Sequence, residues 1–157
     1  MNSSFSDPGN SKLLAPTAFR FVLNRELRHA MRANGCLSLL VIETTRDLAG
    51  AHISADEHTM REIAHVVNNE MRDRDLLGMT DAGTLALVLR STDYERSMRV
   101  IDRLRAKLEQ HPFSAPIQIA VGAACYPMHA MGAESLTRWA VSHPVASCRG
   151  SSSPDQN

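Results

Sequence analysis

Residues 72–90 read RDRDLLGMTDAGTLALVLR, and the fold turns on how this stretch is parsed. Residues 76–80 form a short apolar-rich run. Asp81, Ala82 and Gly83 follow as a tight turn, and residues 84–89 form a second apolar run. Glycine reaches the positive φ that so short a connection needs, so the stretch predicts strand, turn, strand. Arg72 and Asp75 stand just ahead of the first strand as an Arg-x-x-Asp pair.

On either side the hydrophobic period changes from two to 3.6. Upstream, Met60, Ile63, Ala64, Val67 and Met71 recur at helical spacing, in a helix expected to run to about Arg72. Ser54-Ala55-Asp56-Glu57 ahead of them has the form of a capping box. Downstream, Thr92-Asp93-Tyr94-Glu95 is a second such box, opening a helix striped by Met98, Ile101, Leu104 and Leu108. Gln110-His111-Pro112 closes it. Pro16 suits the first turn of a helix that carries Phe19, Val22, Leu23, Leu27, Ala30 and Met31 inward and ends at Asn34-Gly35. Its Arg20, Arg25, Arg28 and Arg32 face elsewhere, as a solvated face. Residues 36–42 (CLSLLVI) predict a strand covered on both sides, and residues 117–126 (IQIAVGAACY) another. Residues 133–141 predict a short helix holding Trp139.

The order is therefore α-β-α-β-β-α-β-α. A hairpin among strands separated by long helices predicts an α+β sandwich, with a central, mostly antiparallel sheet flanked by helices. Residues 1–12 are expected to be a flexible arm, residues 13–142 the domain, and residues 143–157 a disordered tail.

The 157 residues suffice for one compact domain, and 43% apolar with 22% charged residues is ordinary for a folded, soluble one. Seventeen basic residues balance seventeen acidic ones, so no nucleic-acid partner is expected. No apolar run is long enough to span a membrane, and MNSSFSDPGNSK lacks the apolar core of a secretory signal. A cytoplasmic protein is expected. Cys36, Cys125 and Cys148 are odd in number and lack Cys-x-x-Cys spacing, so they predict free thiols packed as small hydrophobes. His58 and His65 share a helical face, but no second ligand pair joins them, so no metal site is expected.

Taken in order, these strings resemble the GGDEF domain of diguanylate cyclases, over roughly Leu14 to Ala140. Pro16-x-x-Phe19 with Leu23, Glu26-Leu27 and Arg32 resembles the opening helix, and residues 39–43 the first strand. Residues 60–64 resemble the helix after the nucleotide-binding loop. Residues 121–127 (VGAACYP) resemble the family's Ser-Ile-Gly-x-Ala-x-Tyr-Pro strand. Five residues separate Asp75 from Asp81, the family's interval to its signature. Asp81, Ala82, Gly83, Thr84 and Leu85 then stand where Gly, Gly, Asp/Glu, Glu and Phe are usual. The resemblance implies a palm-like, ferredoxin-like sandwich.

It also implies a chemistry. Active members bring two magnesium-bound GTP molecules together across a dimer, and a 3′-hydroxyl attacks an α-phosphate. Here Asp81 would set a carboxylate beside a triphosphate, and Ala82 adds a methyl group where bare glycine lets the nucleotide approach. Gly83 and Thr84 replace acids that hold the metal. Glu43 keeps a carboxylate at the strand-end metal position, Thr45 replaces the second acid there, and Leu48 stands for a usual Lys. Glu57 could stand in for the base-contacting Asp. Phosphoryl transfer rests on positioning and charge neutralisation, so the resemblance implies a degenerate, inactive signalling domain of bacterial type, with no magnesium cofactor.

Arg72 and Asp75 match the family's product-inhibition site, which implies a receptor for cyclic di-GMP. The guanidinium would donate to guanine O6 and N7, and the carboxylate would accept from N1 and N2. The alternative for the pair is a local ion pair. A second expectation is a protein-interaction or homodimerisation module around the old active site, with Met79, Met128 and Met131 as adaptable contacts if they lie on the surface. Beyond Ala140 the chain departs from the family's ending. Pro144 breaks the last helix, and Arg149 is left to serve as the phosphate-gripping cation.

Overall fold

Strand β2 (Leu37–Leu48) is the axis around which the chain is arranged. The computed structural model describes residues 13–48 and 51–150. In chain order these give β1 (Leu13–Leu14), α1 (Pro16–Arg32), β2, β3 (Ala51–Ser54), α2 (Glu57–Asn69) and β4 (Leu76–Met79). Then come β5 (Leu85–Arg90), α3 (Tyr94–Gln110), β6 (Ile117–Tyr126), α4 (Ala133–Ser142) and β7 (Pro144–Gly150). The strands join in one sheet of order β1-β4-β5-β2-β6-β7, with β3 folded back on the far end of β2. Only β1 and β4 run parallel; every other pairing is antiparallel.

Alternation along the strands explains why residues 36–42 read as apolar throughout. Leu40 and Ile42 point to one face, where they meet Ile63 and Val67 of α2 and Ile101, Leu104 and Leu108 of α3. Leu37, Leu39 and Val41 point to the other, against Phe19, Leu23 and Leu27 of α1 and Leu136 and Ala140 of α4. The predicted α+β sandwich with helices on both sheet faces is the observed architecture, and all eight expected elements are present.

Three strands were not expected. β1 and β3 are short; β7 overturns the disordered reading for residues 144–150 of the expected tail at 143–157, because they pair along β6. The physical reason is a concealed period of two. Ala146 and Cys148 turn onto the core, and Gly150 lies where a Cβ would come within 2.6 Å of the Phe113 ring. Pro144 does end α4, as expected. Residues 151–157 and the predicted arm at 1–12 lie outside the described residues.

The helix starts also differ in detail. Ser54 is held in β3 opposite Thr45, and Asp56 caps α2 instead, accepting from the Thr59 amide at 2.9 Å. Asp93 rather than Thr92 caps α3, accepting from the Arg96 amide at 2.9 Å. The caps lie two residues and one residue later than the Ser and Thr boxes imply, and a carboxylate oxygen caps as a hydroxyl does. Helix α2 stops at Asn69, short of Arg72. Met71 and Met79 pack against the core, whereas Met128 and Met131 are 67% and 62% exposed.

The turn after β6 carries a ladder of rings. His129 lies edge-on to Tyr94 at 5.0 Å and stacks on Trp139 at 4.9 Å; the indole stacks in turn on His143 at 4.1 Å. His129 Nδ1 accepts from the Cys125 amide at 2.9 Å, which a protonated ring cannot do. Burial, with help from His143, lowers the His129 pKa below its ordinary value. A depressed folded pKa gives stability that is fully present above the unfolded value of about 6.5 and is lost as pH falls through the folded one. Thermal melts between pH 7.5 and 5.5 should therefore lose stability toward acid, with a shallower slope in His129→Gln. An equal slope in that variant would assign the loss elsewhere.

Candidate functional site

The predicted hairpin is observed, and its turn is closed by the chain's own atoms. The Thr80 amide donates to the Thr84 carbonyl at 2.8 Å, and the Gly83 amide to the Thr80 carbonyl at 2.9 Å. The Thr80 and Thr84 hydroxyls lie 2.7 Å apart, and the Thr84 amide reaches Thr80 Oγ1 at 3.2 Å. Gly83 sits at φ +82°, which glycine alone adopts without strain. Asp81 points away from this turn onto Arg20 of α1, in an exposed ion pair that contributes little stability.

Helices α1 and α4 cover only part of their sheet face. Beyond them the same face continues as two cross-strand rows, Glu43-Ala120-Ser147 and Thr45-Gln118-Arg149, bordered by Thr84. The result is a cleft of about 660 Å³ reached by Ala82 and Ser54 as well. Its wall beyond β6 is β7, the strand that composition concealed. Among the described residues Glu43 is its one carboxylate and Arg149 its one guanidinium; the Gln118 amide, Thr and Ser hydroxyls and the apolar groups of Ala82, Ile119, Ala120 and Cys148 make up the rest. Among the described residues no three His, Cys, Asp or Glu side chains gather where they could hold a metal ion.

Arg72 and Asp75 are brought together, but with each other as partners. Arg72 Nε and Nη2 reach the two carboxylate oxygens of Asp75 at 3.3 and 3.2 Å, and the Arg72 amide donates to Oδ2 at 3.1 Å. Arg72 Nη2 also bonds Thr92 Oγ1 at 2.9 Å. The Asp75 side chain is 4% exposed and the Arg72 side chain 48%. The carboxylate is thus spent inside the protein, while one side of the guanidinium faces water.

Two contacts had no sequence signal. Arg20 and Asp81 lie 61 residues apart, and Glu26, 5% exposed within α1, is neutralised by Arg90 Nε at 2.9 Å from the end of β5. All three thiols are free. Burial raises the pKa of Cys36 and Cys125 and, with Glu109 adding to it, pushes Cys148 up to about 11, so they pack as protonated hydrophobes.

No family model and no curated protein matches the chain. Solved structures do. The GGDEF domain of YfiN (TpbB) from Pseudomonas aeruginosa superposes with a TM-score of 0.70 at 24% identity, over 83% of this chain and 81% of that one. The chain has the GGDEF-domain fold. A second structure of this fold is the GGDEF domain of DgcB from Caulobacter crescentus in complex with c-di-GMP, at TM-score 0.70 and 14% identity over 87% and 85% of the two chains. A third is the diguanylate cyclase SiaD from Pseudomonas aeruginosa in complex with its activator SiaC, at 0.69 and 21%, covering 90% of this chain and 56% of that one.

The residues of the hairpin turn do not fit a magnesium ion. A hard cation wants several charged oxygen ligands. Gly83 has no side chain, Thr84 offers a neutral hydroxyl engaged with Thr80, and Asp81 is turned onto Arg20. Among the described residues, Glu43 alone lines the cleft with a charge of the right sign.

Proposed function

We propose that this GGDEF-fold chain is a catalytically silent regulatory domain of a bacterial cytoplasm. The observation that carries the reading is the hairpin turn. Its hydrogen bonds close on themselves, and it contributes no carboxylate to the cleft. Two nucleoside triphosphates meeting there would bring a large negative charge to a site whose only cation among the described residues is Arg149 and whose acid, Glu43, repels them. Incubation with GTP and magnesium, followed by separation of nucleotides, should yield no cyclic dinucleotide. Measurable turnover would overturn the reading.

A second reading concerns the ligand. The Arg72 guanidinium is anchored by Asp75 and Thr92 yet half exposed, which supports a receptor role for cyclic di-GMP at this position. Guanine would take the outward donors of Arg72, and using Asp75 as well would require opening the ion pair. Isothermal titration with cyclic di-GMP separates the cases. Heat from the native chain that vanishes in Arg72→Ala supports the receptor. Silence from both leaves a domain that regulates by protein docking or homodimer formation.

A further inference from the structure

The outer face of α1 has a charge pattern that the fold does not use. Phe21, Arg25, Arg28 and Arg32 recur at steps of four, three and four, which brings them onto one stripe about 16 Å long. The stripe lies opposite the buried Phe19, Leu23 and Leu27. Phe21 is 62% exposed and Met31, on its flank, 50%. The single acid of α1, Glu26, is buried against Arg90, so nothing negative interrupts the stripe. Arg25 makes only a 3.7 Å contact with Glu26, and among the described residues Arg28 and Arg32 have no ion pair. Guanidinium groups at successive steps of three and four repel their neighbours by a modest amount.

We propose that this stripe docks an acidic helix of another protein, whose carboxylates, spaced at three and four residues, pair with Arg25, Arg28 and Arg32 while an apolar side chain covers Phe21. Arginine rather than lysine occupies every position, and its fork matches a carboxylate edge on. The spacing is that of a facing helix. A second copy of this chain does not supply the complement: α2 mixes Glu57 with Arg61, and α3 mixes Glu95, Asp102 and Glu109 with Arg96, Arg99 and Lys107. A lipid surface wants an apolar stripe along the helix, whereas here the centre is guanidinium and Phe21 stands at one end. The surface is separate from the cleft, so the inference stands whether or not GTP is turned over.

The probe is a fluorescent helical peptide of Ala and Leu with Glu at alternate steps of three and four, read by anisotropy at low and moderate salt. The native chain should bind it, more weakly as salt rises. Arg25→Glu/Arg28→Glu/Arg32→Glu should lose at least about tenfold in affinity (about 1.4 kcal/mol). A control with the same charge change on α2 and α3, Arg61→Glu/Arg96→Glu/Arg99→Glu, should bind as the native chain does. All six positions are on the surface, and circular dichroism checks that both variants fold. No binding, equal loss in both variants, or tighter binding to phosphatidylserine vesicles or duplex DNA than to the peptide would each overturn the proposal.

Discussion

A chain ended after Ser142 is expected to melt more than about 10 °C below the full chain and to self-associate. It loses β7, whose pairing with β6 runs from Ile117 opposite Gly150 to Gly122 opposite Pro144. It also loses Ala146 and Cys148 from the core, and uncovers Phe113 and Ile117, now 0% and 2% exposed. Partial exposure of two large side chains and removal of two small apolar groups cost roughly 4 kcal/mol. A domain of this size has about 5–15 kcal/mol in all, and each kcal/mol is worth about 3 °C. The bared edge of β6 would then present a row of unpaired amides to other molecules. Calorimetry and size-exclusion chromatography report both effects. A truncated chain that stays monomeric and melts with the full one would mean that β7 adds nothing.

Gly122→Ala should be the most damaging single-methyl change in the sheet. A Cβ built there would lie 1.7 Å from the Ala140 carbonyl oxygen, in the backbone of α4, so the helix must lift off β6. Overpacking against yielding side chains typically costs about 1–3 kcal/mol, and a backbone obstacle belongs at or above the upper end. Gly78→Ala meets the Phe19 ring at 2.4 Å, where the obstacle is a side chain. Gly83→Ala meets nothing within 4 Å and is strained only by its φ of +82°, roughly 1 kcal/mol. Urea midpoints should fall in the order Gly122, Gly78, Gly83, with Gly122→Ala worst. A Gly83 variant less stable than the Gly122 one would contradict this packing of α4 on the sheet.

The eight main elements were legible because each carries a periodic apolar set next to punctuation such as Pro16, Gly83 or Pro112. What escaped is instructive. Residues 144–150 look polar and small, and only Ala146, Cys148 and Gly150 face the core; burial there is by small groups, which composition does not flag. Ser54 resembled a cap because its neighbours did, but β3 had already claimed its backbone, a tertiary demand invisible in a four-residue window. At the candidate site, the hairpin and its turn at Asp81–Gly83 were readable from the sequence. The destination of Asp81 was not, since Arg20 reaches it from 61 residues away. For Arg72 and Asp75 the three-residue interval already allowed a local ion pair, and that is the geometry they adopt.

Because β1 and β7 are the opposite margins of the sheet, Leu13 and Gly150 are separated by five strand spacings across it and, since Leu13 registers with Leu40 and Gly150 with Arg46, by six residues along it, roughly 31 Å in all. A circular permutant joining those two residues needs an extended linker of at least about nine residues, routed over one helical layer. New termini opened at the Asp81–Gly83 bend would leave both helical layers continuous with their strands, so that bend is the natural place to cut.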